Sequence, residues 1–335
     1  MRVSVLNKAG ETEVTDRPAP EPGPEQVLVR VASVGVCGSD VHYFEHGRIG
    51  SYVVREPLIL GHEASGVIEQ VGSDVDPSRV GQRVSIEPGV PCRSCQYCLS
   101  GHYNLCPKVE FYATPPFDGA FAELVLTHHA FAHPVPDALS DDAAALIEPL
   151  SVALWAAQRA SVTAGDVVLV TGAGPVGLLM VAVARALGAA KVYACDINEQ
   201  RLAVASRMGA TDVVHGSFAD SQLQEPTVLL EGSGHPGATI DGIKALAPAG
   251  RAILVGMGGD ELNLPLSRVQ ERELIITGTF RYAGTWPAAI ELAASGAIDL
   301  DALVSGYFGL DQVPDALQAA KKDPSFLKAM VRPAD

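Results

Sequence analysis

Four of the six cysteines, Cys92, Cys95, Cys98 and Cys106, fall within fifteen residues. The spacing Cys-x2-Cys-x2-Cys-x7-Cys lets a tight loop wrap four thiolates around one tetrahedral ion. Four soft ligands leave no open position, so the pattern predicts a structural zinc. In a large chain whose N-terminus shows no apolar leader, such a cluster reads as metal ligation before disulfides. A nucleic-acid-binding zinc ribbon would use similar spacing. Only Arg93 and Lys108 supply positive charge near this loop, however, and the chain carries a formal charge of −15. Nucleic acids and anionic membranes both demand a basic footprint, so neither is expected as a partner.

A second set of metal-capable side chains is scattered. Cys37 opens the run Cys37-Gly38-Ser39-Asp40-Val41-His42, His62 and Glu63 follow Gly61, and Glu148 precedes Pro149. A catalytic zinc needs about three protein ligands and one open position. Cys37 and His62 suit that role by type, but spacing alone does not bring them together. Cys195 reads as a small buried hydrophobe.

Gly172-Ala173-Gly174-Pro175-Val176-Gly177 fits G-x-G-x-x-G, following an apolar β-branched run and opening a segment of helical composition. In that setting the glycines permit a tight turn and close approach of backbone N–H groups to a pyrophosphate, at the positive end of a helix dipole. Asp196 lies nineteen residues beyond Gly177, at the end of the next strand. A carboxylate there accepts hydrogen bonds from the adenosine ribose and repels a 2′-phosphate. Arg201 is close enough to favour NADP, but the strand-end acid dominates, and the motif predicts NAD.

The elements that must position these residues change in texture along the chain. At 335 residues, two domains are expected. An apolar fraction of 47% with 33 glycines suits a well-packed α/β protein, and the 19% of charged residues argues against long disorder. No run of about 18 apolar residues would span a membrane, and a cytoplasmic location is expected. Before position 147 the sequence predicts strands and turns, with strands over 26–34, 66–71 and 83–87. After 148, strands over 167–171, 191–195, 228–230 and 252–255 alternate with helices over 175–187, 199–208 and 238–246. That alternation predicts a parallel, doubly wound sheet. Beyond 278 it breaks into a helix over 286–295, a strand over 307–310 and a helix over 314–321.

Cys37-Gly38-Ser39-Asp40, Gly61-His62-Glu63, the four-cysteine loop and the glycine motif occur in one order, and together they resemble the zinc-containing medium-chain alcohol dehydrogenase family over essentially the whole chain. Three longer strings resemble its sorbitol and xylitol dehydrogenase branch: His42 through Gly50, Tyr112-Ala113-Thr114-Pro115-Pro116, and Phe280-Arg281-Tyr282. The resemblance implies a GroES-like distorted β-barrel catalytic domain, discontinuous over 1–147 and 279–335, with a Rossmann domain over 148–278. It implies two zinc ions per chain and a homo-oligomer, commonly a tetramer. One departure stands out. Only about a dozen residues, 215–226, separate two Rossmann strands, which places one crossover helix in doubt.

The resemblance also assigns roles. Cys37, His62 and Glu148 surround the catalytic zinc with Glu63 next door, and either Glu63 or a water bridged by Glu148 completes the shell. Asp40 fixes the His62 tautomer. A substrate hydroxyl displaces water from zinc, its proton leaves through Ser39, the cofactor ribose and His42, and hydride passes to NAD. Tyr43, Phe111, Thr114, Arg281 and Tyr282 are implied to line a polyol pocket, giving a ketose from sorbitol, xylitol or a similar polyol. Two alternatives stay open: the same parts acting on another secondary alcohol or L-threonine, and a non-catalytic NAD-binding protein. The intact set Cys37, Ser39, His62 and Glu148 speaks against the second.

Overall fold

Gln26–Gly35 reads QVLVRVASVG, and it buries Val27, Leu28, Val29, Val31 and Val34, so residues facing both sides of the strand are covered. Such a strand belongs at the centre of a sheet rather than at its edge. In the computed structural model, which describes residues 1–259 and 261–335, it is central to a seven-stranded mixed sheet. Around it the order is Ala132–Pro134, Arg83–Ile86, Glu63–Val71, Gln26–Gly35, Lys328–Val331, Val304–Phe308, and Leu124–His128 also pairs with Gln26–Gly35. A three-stranded sheet led by Arg2–Lys8 and Glu11–Asp16 accompanies it.

Contacts divide the chain into Met1–Glu148 with Trp286–Asp335, and Pro149–Thr285. The second boundary thus falls at 285/286 rather than the expected 278/279, because the segment after the strand Ile275–Gly278 keeps its contacts within the inserted unit. The tail adds Lys328–Val331 antiparallel to Gln26–Gly35, with Met330 opposite Gly35 and Val331 opposite Val34. The strand expected over 307–310 lies at Val304–Phe308, and Leu310 instead opens a short 3-10 turn.

The inserted unit is a six-stranded parallel sheet. Its order is Asp212–His215, Lys191–Asp196, Val167–Thr171, Val228–Glu231, Arg251–Leu254, Ile275–Gly278. The chain winds outward from Val167–Thr171 in one direction, then returns to its other side, which is the doubly wound arrangement. All five residues of Val167–Thr171 are buried, as a central parallel strand requires. The helix Pro175–Ala186 starts with proline in its first turn, where a missing N–H costs nothing, and buries every residue from Gly177 to Ala184.

The short crossover has a plain solution. From Asp212–His215 the chain must travel three strand spacings, about 14 Å, whereas a dozen residues can extend to about 40 Å. No full helix is needed, and a single 3-10 turn, Phe218–Asp220, replaces it. Phe218 is 5% exposed and stacks on Tyr193 with ring centroids 5.7 Å apart. One aromatic side chain therefore does the covering that a helix face would otherwise provide. Phe218→Ala is expected to destabilise the protein by about 3–5 kcal/mol, read as a lower urea midpoint; a loss below about 1 kcal/mol would show that the turn is held by something else.

Candidate active site and structural metal centre

The helix Gly38–His46 begins immediately after Cys37, which serves as its N-cap residue. Asp40, in the first turn, is fully buried and reaches back: its Oδ2 accepts the Cys37 N–H at 3.0 Å, and its Oδ1 accepts the Gly61 N–H at 2.9 Å. His62 Nδ1 lies 3.4 Å from the same Oδ1. A proton on Nδ1 then faces the carboxylate, which leaves Nε2 as the nitrogen with a lone pair. Burial works against the Asp40 charge, yet His62 and the two N–H groups outweigh it and hold its pKa below the usual range. Burial likewise opposes a charged His62, but Asp40 and Cys37 raise its pKa well above the ordinary value. The field around His62 attracts a cation.

The side chains of Cys37, His62 and Glu63 offer ligand atoms that all lie within 4.8 Å of one another. Glu63 is 1% exposed and has a partner that the sequence did not announce. Lys328, 3% exposed, donates to both Glu63 carboxylate oxygens at 2.8 Å and to the Val36 carbonyl at 3.0 Å. Burial opposes the ammonium, but Glu63, Cys37 and Glu148 raise the Lys328 pKa. Glu148 is itself buried and contributes to this field, but it does not join the group of mutually close ligand atoms. The donors, one thiol, one imidazole and one carboxylate, make a borderline-soft set that fits zinc. The available signal for Lys328 was a lysine inside the apolar run Leu327–Val331, 265 residues away from its partner.

The four cysteine sulfurs also lie within 4.8 Å of one another. Cys95 and Cys98 are 3.4 Å apart, and Cys92 and Cys98 are 3.9 Å apart. Tetrahedral zinc with bonds of about 2.3 Å separates its sulfurs by about 3.8 Å, so the loop already has the dimensions of that ion. The Ser94 N–H, helped by its hydroxyl, lowers the Cys92 pKa to about 6, while burial and the neighbouring Cys95 and Cys106 thiols push Cys98 up to about 12. The Cys92 thiolate forms easily and that of Cys98 is opposed by crowding, which a dication at the centre would relieve. Glu25, His128 and His129 make a further close group. There the Arg93 guanidinium already bridges Glu25 at 2.9 Å and His128 at 2.7 Å, taking the place a cation would have. A nearby cavity of about 680 Å³, lined by Glu25, Asp74, Tyr112 and His128 among others, contains none of Cys37, His62, Glu63 or Glu148.

In the inserted unit Gly172 has φ +85°, and a Cβ on Gly177 would run into the Gly172 carbonyl, so neither position tolerates a side chain. Gly174 caps the helix Pro175–Ala186, with Pro175 and Val176 half-buried behind it. Asp196 accepts the Ala173 N–H at 2.6 Å and the Asn198 N–H at 2.8 Å, tying the end of its strand to the glycine loop. Arg201 is half-buried in the next helix, where its N–H is capped by Asn198 at 3.1 Å.

Ser39 is half-buried and His42 exposed, with the His42 ring 4.6 Å from that of His46. Phe111 is 7% exposed, and its ring lies 5.8 Å from the His62 ring. Thr114 is half-buried, whereas Tyr43 packs within the apolar core of the first unit. Arg281 and Tyr282 belong to the inserted unit. Tyr282 is 2% exposed, and Arg281 takes the left-handed backbone conformation, φ +56°, with its guanidinium 4.7 Å over the Phe280 ring.

Residues 23–137 match the alcohol dehydrogenase GroES-like domain, and residues 175–295 match the zinc-binding dehydrogenase domain. The chain is 40% identical to the sorbitol dehydrogenase of Bacillus subtilis, over 99% of this chain and 97% of that one. It is 42% identical to the human sorbitol dehydrogenase, over 95% and 92% respectively. An Escherichia coli alcohol dehydrogenase solved with NADH superposes with a TM-score of 0.93 at 28% identity, covering 99% of each chain. With a GroES-like unit, a doubly wound dinucleotide unit and this level of identity over nearly its full length, the chain belongs to the zinc-containing medium-chain dehydrogenases, in their sorbitol dehydrogenase branch.

Proposed function

We propose that the protein oxidises a secondary hydroxyl of a small polyol such as sorbitol or xylitol to a ketone, with NAD as hydride acceptor. The observation that carries this reading is the close group of half-buried Cys37 with buried His62 and Glu63, organised by Asp40, in a chain that also carries the Asp196-anchored glycine loop. Zinc held by Cys37, His62 and Glu63 would supply Lewis acidity to the substrate hydroxyl, and NAD would accept the hydride.

The chain's own residues supply the rest. Asp40 orients His62, and Lys328 holds Glu63 through both oxygens, so the carboxylate is placed before any ion arrives. Glu148 acts through a bound water rather than as a direct ligand. Ser39 receives the substrate proton and passes it toward His42, three residues on and therefore on the same face of the helix Gly38–His46. The exposure of His42 lets it release that proton to solvent. Phe111 covers the edge of His62 and excludes water from it. Asp196 selects NAD over NADP by repelling a 2′-phosphate.

Arg281 recognises the substrate away from the reacting carbon. A polyol carries a hydroxyl on every carbon, so its site must offer donors that an ethanol pocket lacks. The left-handed backbone at Arg281 is costly for a bulky side chain, which is the kind of strain kept where a side chain must be aimed. Tyr43, Thr114 and Tyr282 are proposed to share this work. The exposed edge strand Ile275–Gly278, with Ile275, Leu264 and Leu266 also exposed, supports self-association, and we assign a homotetramer. A monomer in sedimentation velocity would contradict it. No helix among the described residues is long and apolar enough to cross a membrane; a cytoplasmic location is proposed, testable by cell fractionation.

Carefully prepared protein is expected to contain two zinc ions per chain. Cys95→Ser should lose about one of them together with thermal stability, since the binding energy of a structural zinc is folding energy. Elemental analysis showing two ions retained in Cys95→Ser would contradict the four-cysteine site.

The substrate reading is tested by following NAD reduction with a panel of polyols, L-threonine and 2-propanol. Polyols should be preferred, and NADP should be a poor substitute. Arg281→Ala should raise the polyol KM by roughly ten- to hundredfold, the consequence of unpaired polar groups, while leaving any 2-propanol turnover nearly unchanged. Faster oxidation of 2-propanol or L-threonine than of every polyol would overturn the substrate assignment.

A further inference from the structure

Glu231 ends the strand Val228–Glu231 and is 2% exposed, yet nothing in the reaction above uses it. Its Oε1 accepts the N–H groups of Ser233 at 2.8 Å and Gly234 at 3.0 Å, the Ser233 hydroxyl, and the Thr171 hydroxyl at 3.4 Å. Thr171 closes the adjacent strand and immediately precedes Gly172. One buried oxygen therefore joins the turn 232–234 to the strand that carries the dinucleotide loop.

The turns themselves meet backbone to backbone. A Cβ on Gly172 would lie 2.8 Å from both Cα and N of Ser233, and a Cβ on Gly256 would run into the Gly234 backbone. Three successive strand ends, Val167–Thr171, Val228–Glu231 and Arg251–Leu254, thus finish in turns with glycine at the points of contact, and the middle turn is held by a carboxylate from below. This is the point where the sheet's winding reverses, the crevice in which doubly wound sheets bind their ligands. Filling the position for packing alone would call for an apolar side chain. A buried carboxylate is a costly alternative unless its hydrogen bonds are needed.

We infer that Glu231 is a positioning residue of the dinucleotide site: it fixes the 232–234 turn against Gly172 so that the two turns present one continuous backbone surface to the cofactor. The inference rests on the NAD reading above. Glu231 does not touch the cofactor and acts only through the turn.

Two substitutions separate geometry from charge. Glu231→Gln keeps an accepting oxygen at the same reach, whereas Glu231→Asp keeps the charge but withdraws it by one methylene, about 1.5 Å. In a fluorescence titration with NADH, Glu231→Asp should raise Kd about tenfold or more, and Glu231→Gln should stay within about threefold of wild type. Zinc content and the polyol KM at saturating NAD should be unchanged in both, a split that a merely structural role would not produce. Ser233→Ala deletes the hydroxyl's bond to Glu231 and the one it accepts from the His235 N–H at 3.1 Å, leaves the carboxylate and its backbone donors in place, and should raise the NADH Kd about two- to fivefold even if Glu231→Asp does not fold. Wild-type NADH affinity in Glu231→Asp or in Ser233→Ala would overturn the inference, as would a loss in Glu231→Gln as large as that in Glu231→Asp. Failure of the wild type itself to bind NADH would instead overturn the cofactor reading on which this one stands.

Discussion

The first unit's chemistry depends on one buried carboxylate. Asp40 is removed from water, a transfer that costs several kcal/mol unless it is compensated. Compensation comes from three directions: the Cys37 N–H on its own helix, the Gly61 N–H on the approach to the strand Glu63–Val71, and His62. Each of these partners belongs to the group of close ligand atoms Cys37, His62 and Glu63 or is the neighbour of a residue that does. The interactions that keep Asp40 charged are therefore the same ones that hold Cys37 and His62, 25 residues apart in the chain, once the pairing of Gly35 with Glu63 has brought them together. A capping contact at the start of the helix Gly38–His46 doubles as the frame of the site.

Around that frame the charges are balanced rather than merely collected. Glu63 and Glu148 gather negative charge in a buried region, and Lys328 offsets part of it. Lys328 arrives on the tail strand Lys328–Val331, which joins the central sheet beside Gln26–Gly35. A lysine so buried would normally titrate downward, yet its neighbours win and it stays charged. The remaining deficit of positive charge suits a dication. The inserted unit solves its own problem differently, with backbone donors, glycine contacts and the Asp196 carboxylate doing the work that side-chain charge does in the first unit.

Much of this was legible in the sequence, for physical reasons that differ by element. The strands Val167–Thr171 and Lys191–Asp196 and the helix Pro175–Ala186 announce themselves because burial on all sides demands unbroken apolar runs. The four-cysteine loop is local, so spacing alone carries it. The grouping of Cys37 with His62 was not legible from spacing; it required the family resemblance, because sheet pairing rather than sequence proximity brings the two together. Lys328 and Glu231 were missed for related reasons. Lys328 finds its partner across nearly the whole chain, and Glu231 divides its hydrogen bonds between two backbone N–H groups and the hydroxyls of Ser233 and Thr171, residues too common to form a sequence signature. The short crossover near Phe218 was visible as a missing length, but its replacement by one stacked aromatic was not.

Whether Asp40 holds Cys37 and His62 in place for an ion is read directly from zinc binding to Asp40→Asn at buffered free zinc. Asparagine keeps the shape but removes the charge and one accepting oxygen. One zinc should stay bound as in wild type, in the four-cysteine loop, while the second binds about ten- to hundredfold more weakly. Two zinc ions held with wild-type affinity in Asp40→Asn would contradict it.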